Sequence, residues 1–199
     1  MPQPDIKFCR LCGASTERRI PEGEDRVRPV CRACGYVDYV NPTIVVGTVP
    51  IWEPSAATTG AHDEARVLLC LRAIEPRKGY WTLPAGFLEY GETLDDGAAR
   101  ETREEAGARF ELNGLFTVLD VVHAGQVHVF YRANLVSPDL DPGPETAEAQ
   151  LVPLSEIPWD DLAFATVRWT LERYLEDRAR GQAGVHTASI PPHRHRSPR

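Results

Sequence analysis

The sequence predicts an α+β domain preceded by a small four-cysteine metal ribbon and followed by a loose basic tail. Three observations carry this. Cys9-x2-Cys12 and Cys31-x2-Cys34 sit in an Arg- and Pro-rich stretch with too few large apolar side chains for an unassisted core. Strand-like runs then alternate with two helical patterns over residues 41–177. Residues 178–199 form an acid-free stretch, Pro-rich toward its end and without a core of its own, which reads as mostly disordered. The expected division is therefore 1–40, 41–177 and 178–199.

The two cysteine pairs are 18 residues apart, and a Gly able to turn tightly follows the second cysteine of each. Four thiolates from Cys9, Cys12, Cys31 and Cys34 would close a tetrahedron, so a bound Zn²⁺ is expected to be structural. Its binding, on the order of 10 kcal/mol or more, can supply the stability so short a segment lacks. "NPT" at 41–43 is a turn signal and marks the boundary. "TIVVGTVPIW" and "ARVLLCLRA" read as strands joined by the polar hairpin loop "EPSAATTGAHDE", with Cys70 as a small core residue. A helix is expected over 94–106, ended by Gly107 as its C-terminal cap. Strands follow at 110–122 and 127–136. A Pro- and acid-rich loop then leads to "QLVPL" and a last helix over 162–177, where Phe164, Val167, Leu171, Tyr174 and Leu175 recur at helical spacing.

Composition bounds the function. The net charge is −7, and the five Arg beyond residue 177 leave −12 on the rest of the chain. So acidic a body repels phosphate backbones, which disfavours bulk nucleic-acid binding and means that an anionic substrate needs arginines or metal ions. No apolar run approaches the roughly 18 residues of a membrane span, and the N-terminus lacks a signal-peptide core, so no membrane partner and a cytoplasmic location are expected.

The helix at 94–106 poses the sharpest question, because it places Glu101, Glu104 and Glu105 on one face near its negative end. Stability alone would favour Lys or Arg there. Leu94, Ala98, Thr102 and Ala106 recur every four residues and give the helix a narrow face to lay against a sheet, with the glutamates flanking it. Carboxylate oxygens suit Mg²⁺ or Mn²⁺, and such ions would cancel the repulsion and bind diphosphate oxygens. Gly86, Glu92, Arg100, Glu101, Glu104, Glu105 and Gly107 follow the spacing G-x5-E-x7-R-E-x2-E-E-x-G. That pattern resembles the signature of the Nudix hydrolases, departing mildly at Thr102 and Ala108, where larger aliphatic residues are usual.

The resemblance implies an α/β/α sandwich around a mixed sheet. It further implies Mg²⁺ or Mn²⁺ held by Glu101, Glu104, Glu105 and the carbonyl of Gly86, with Glu92 and Arg100 bracing the loop against the helix. The implied reaction is hydrolysis of a nucleoside diphosphate linked to another group. A later glutamate often serves as general base in this family. Glu145 and Glu148 are both candidates, and Glu148, beside "QLVPL", is preferred because strand-anchored groups are better positioned. Each also reads as an exposed loop carboxylate. Arg72, at a strand end, is a candidate phosphate contact or a surface charge.

The ribbon and the flanking motifs are most similar to the plant plastid FAD and ADP-ribose pyrophosphatase group and its bacterial relatives, so FAD or ADP-ribose is the expected substrate and AMP one product. NADH and NAD-cap pyrophosphatases carry a similar zinc element, but their "SQPWPFP" array is absent. A reading of another class makes the ribbon an adaptor on a non-catalytic scaffold; the intact glutamate set argues against it. The expected partner is a small nucleotide, with a homodimer left open.

Overall fold

The computed structural model describes residues 5–54 and 64–191, and the chain divides into two units at Pro42. Most of the polar hairpin loop and the last part of the basic tail, with its "HRHR" run at 193–196, lie outside the described residues. In the first unit, β1 (Thr16–Arg19) and β2 (Arg28–Cys31) pair antiparallel, with Thr16 opposite Cys31.

The second unit comprises β3 (Thr43–Trp52), β4 (Arg66–Arg72), β5 (Trp81–Thr82), β6 (Ala85–Phe87), α1 (Leu94–Ala106), β7 (Phe110–Val121), β8 (Gln126–Leu135), β9 (Thr146–Pro153), α2 (Ala165–Arg180) and β10 (His186–Ser189). The sheet order is β10-β7-β8-β3-β4-β5, with β6 also against β3 and β9 against β4. β3 runs parallel to β8 and β10 parallel to β7, while the other pairs are antiparallel, so the sheet is mixed.

Strand alternation sorts the core into two layers. Val67 and Leu69 of β4 join Phe116, Phe130, Val167 and Leu171 beneath α2, whereas Leu68 and Cys70 join Ala106 and Ala108 beneath α1. Each such buried aliphatic side chain contributes about 1.5–3 kcal/mol. The result is the expected α/β/α sandwich. Thr102, the departure from an aliphatic residue, is accommodated because its hydroxyl donates to the carbonyl of Ala98 (2.8 Å) and lies 2.7 Å from the Thr48 hydroxyl.

Two expectations need correction. The last helix begins at Ala165 rather than Leu162, because Phe164 is extended (φ −134°, ψ 144°) and Leu162 bridges to Trp81. The tail is also ordered well beyond residue 177. α2 continues to Arg180, Gly181 turns the chain in the left-handed region (φ 61°), and β10 adds to the sheet edge. A buried ion cluster holds that edge in place. Asp177 accepts from Arg132 (2.8 Å) and from His186 Nε2 (3.0 Å), Arg132 also donates to the Gly184 carbonyl (2.8 Å), and its guanidinium lies 4.2 Å from the centre of the Phe116 ring.

Asp177→Ala leaves Arg132 without its carboxylate in a site where only 16% of the arginine side chain is exposed. The expected cost is about 3 kcal/mol in urea unfolding, with faster amide exchange along His186–Ser189 than in β3.

Candidate metal and diphosphate site

The ribbon brings its four cysteines together. All four sulfurs lie within 4.8 Å of one another, with Cys12 3.5 Å from both Cys31 and Cys34, and Cys9 3.8 Å from Cys34. A tetrahedron with metal–sulfur bonds of about 2.3 Å has edges of about 3.8 Å, so the set fits a tetrahedral thiolate metal. The two knuckles match. Gly13 and Gly35 both take φ 73° and donate to the carbonyls of Cys9 and Cys31. The N–H groups of Cys34 and Ala33 point at the Cys31 sulfur (3.4 Å each), and the Cys34 contact is the leading reason its thiol is lowered to about 6, toward the thiolate that a metal requires.

α1 begins where Thr93 accepts from the Asp96 N–H, with Asp95 and Asp96 in its first turn, and ends at the left-handed Gly107. Of the expected face, Ala98, Thr102 and Ala106 are buried and Leu94 only partly, with Gly97, Ala99 and Glu105 buried beside them. Arg100 organises the flank. Nε and Nη2 clasp Glu92 at 2.6 and 3.0 Å, Nη1 donates to Glu101 (2.7 Å) and Glu104 (3.0 Å), and Nη2 also reaches the Phe87 carbonyl (3.1 Å). The predicted brace between loop and helix is thus present, and the same guanidinium also touches two of the three motif glutamates.

Glu105 is left outside this cluster. It accepts one hydrogen bond, from the Ala85 N–H at 3.0 Å, and burial raises its pKa to about 7, with Glu101 and Glu145 adding repulsion and Arg72 opposing it. Burial also raises Glu101. Gly86 lies directly against Glu101, since a Cβ there would stand 2.3 Å from its carboxylate. This donor set, hard oxygens with too little positive charge, fits Mg²⁺ or Mn²⁺.

A cavity of about 1050 Å³ opens beside the helix and is lined by Gly86, Glu101, Glu104, Glu105, Arg72 and Glu145 among others. Arg72 therefore lines the cavity; it stacks on Phe164 (5.2 Å) and donates to the Pro76 carbonyl. Glu148 does not line the cavity, which corrects the preference between the two later glutamates. β9 starts at Thr146 rather than at "QLVPL", so Glu148 is an exposed residue inside the strand, opposite Leu71. Its neighbours Ala149 and Leu151 pack with the cluster under α1, and alternation turns Glu148 the other way. Glu145, in the loop before β9, lies at the cavity.

The sequence reading also missed cavity walls from α2 and the C-terminus. Phe164 and Thr166 line it at the start of α2, as do Ile190 and Pro191 just after β10. The apolar "SIPP" within a polar tail was the one available signal.

Carboxylates on a helix that share a nucleotide-sized cavity with an arginine fit the class of metal-dependent phosphoanhydride hydrolases. The chain belongs to the Nudix family: residues 53–173 match the NUDIX domain and residues 7–40 the Nudix N-terminal zinc ribbon. It is 30% identical over 116 residues to an ADP-ribose pyrophosphatase of Methanocaldococcus jannaschii, covering 56% of this chain and 68% of that protein. It is 28% identical over 156 residues to the NAD-capped RNA hydrolase NudC of Photobacterium profundum, covering 76% of this chain and 51% of that one. The chain thus spans about half the length of that NudC relative. A crystal structure of a NUDIX hydrolase from Nitrosomonas europaea is similar at a TM-score of 0.82 and 44% identity, covering 93% of this chain and 99% of that one.

Cys31→Ser should lower bound zinc from one per chain to below half and leave the ribbon open to protease, as checked by metal analysis and limited proteolysis. Glu105→Gln tests the buried carboxylate. Since its folded pKa lies above the ordinary 4.5, the native state holds the extra proton between that value and about 7, and wild-type stability falls as pH rises through this window. In EDTA the variant should match wild type near pH 4.5 and exceed it above pH 7 by about 3 kcal/mol, read by denaturant unfolding across pH.

Proposed function

We propose that the enzyme hydrolyses the diphosphate of a nucleoside diphosphate linked to a second moiety, with ADP-ribose or FAD preferred, giving AMP and a phosphorylated product. The observation that carries this reading is one cavity holding both the carboxylate helix and Arg72, with room for a dinucleotide-sized substrate. Glu101, Glu104, Glu105 and the Gly86 carbonyl are assigned as ligands for Mg²⁺ or Mn²⁺. Bound there, the cation supplies charge stabilisation for the diphosphate oxygens and makes a water acidic enough to attack.

The chain's own residues do the rest. Arg72 neutralises and orients a phosphate. Glu145 is assigned as the base that takes the proton of the attacking water, because it lines the cavity from the loop before β9, near enough to Glu101 and Glu105 to repel both. Arg100 and Glu92 hold the helix in register. A second reading, an NAD-linked substrate such as NADH or an NAD-capped RNA end, is favoured by the longer match to NudC, which spans 156 residues. Against it stands the absence of "SQPWPFP".

Assay of FAD, ADP-ribose, NADH, NAD-capped RNA and 8-oxo-dGTP with Mg²⁺ and with Mn²⁺ tests the reading; ADP-ribose or FAD should show the highest kcat/KM, and an NADH or cap optimum would favour the second. On the best substrate, Glu145→Gln should lower kcat on the order of a hundredfold, while Glu148→Gln should stay within about twofold of wild type.

A further inference from the structure

The NUDIX match ends at residue 173, yet the cavity wall continues to Pro191. β10 extends the sheet beside β7, pairing Ser189 with Asp120, and the Ile190 N–H donates to the Asp120 carbonyl at 2.8 Å. This sets Ile190 alongside Val121, and both line the cavity. The Asp177–His186–Arg132 cluster fixes the strand, and Ile190 is only 6% exposed.

The chemistry at this end of the cavity differs from that at the glutamates. Val121 and Gln126 are cross-strand partners where β7 meets β8, and His128 Nε2 lies 3.0 Å from the Gln126 side-chain oxygen. Burial lowers His128 to about 4, so the ring is neutral at working pH and its Nε2–H donates to Gln126. Uncharged donors and acceptors beside an aliphatic wall suit the edge and face of a heteroaromatic ring; they do not suit a phosphate, whose partners are Arg72 and the carboxylate-bound cation.

We infer that the C-terminal segment is a specificity element, with Ile190 and Pro191 packing against the nucleobase of the substrate while Gln126 and His128 meet its polar edge. Asp177 and His186 are positioning residues that hold this wall in place. The inference rests on the proposed function and extends it to a segment outside the matched domain.

The probes are AMP, which carries a base, and inorganic pyrophosphate, which does not; both are titrated in Mg²⁺ as inhibitors of hydrolysis of the best substrate. Ile190→Ala should weaken AMP roughly five- to tenfold and raise KM similarly, with kcat and pyrophosphate inhibition within about twofold of wild type. His186→Ala should shift AMP in the same direction. Equal weakening of AMP and pyrophosphate would make the segment merely structural, and unchanged AMP inhibition in both variants would overturn the proposal. Should Ile190→Ala fail to fold, Pro191→Gly carries the same test at the chain's edge. Failure of the functional reading itself looks different, because wild type would then hydrolyse neither ADP-ribose nor any of the dinucleotides.

Discussion

All five N–H donors of Arg100 are used, four on carboxylate oxygens and one on the Phe87 carbonyl, so a single guanidinium fixes where the anionic flank of α1 points. The clasp on Glu92 ties the loop after β6 to the middle of the helix, which places Gly86 against Glu101. Close approach then dictates the glycines. A side chain at Gly86 would overlap the Glu101 carboxylate, and one at Gly97 would meet Leu88 and Val46 at 2.8 and 3.0 Å. The fixed spacing of the motif is thus a packing requirement as well as a chemical one. Lysine at position 100 could not replace the fork, since it offers three donors from one point rather than five spread across a plane.

The charge balance explains why this helix departs from what stability would select. Arg100 offsets Glu92, Glu101 and Glu104 together, and Glu105 has only the Ala85 N–H and the more distant Arg72 to hold its charge in a buried setting. A protein optimised for folding would remove that carboxylate. Its retention, at the helix end where the macrodipole is already unfavourable, is the local conflict expected of a site whose counter-charge arrives with a ligand. The ribbon shows the same logic in another form, because converging N–H groups draw the Cys31 thiol toward the thiolate state.

What the sequence made legible divides along physical lines. The cysteine knuckles and the α1 motif were readable because their chemistry is local: turns of fixed length, a cap at Thr93, a glycine at 107 and a four-residue repeat of small side chains. β3 and β4 were readable from their density of β-branched and aliphatic residues. Glu148 was misjudged because β9 enters the sheet through Thr146, Ala147 and Glu148, of which Ala147 and Glu148 have little strand character and are recruited by the pairing of β9 with β4; a register shift at Leu71/Arg72 then leaves Glu145 in the loop at the cavity. The start of α2 was misjudged because Phe164 keeps helical spacing to Val167 while itself extended, as is Leu162 before it.

β10 shows where local reading fails for a definite reason. "HTAS" has one strand-favouring residue, Thr187, and its partner in β7 lies about 70 residues earlier in the chain. Its order comes from the buried carboxylate of Asp177, which a helix-periodicity reading treats as a solvated residue of the last turn. With Arg132 and His186 in place, Asp177 converts a polar segment into a parallel edge strand and carries two apolar residues to the cavity. Parallel pairing requires the chain to return to the far end of the sheet before entering it, and α2 supplies that return by spanning the face from the cavity to Arg132. One helix therefore does two things. Its first turn lines the cavity, and its last turn fixes the strand that walls the cavity's other side.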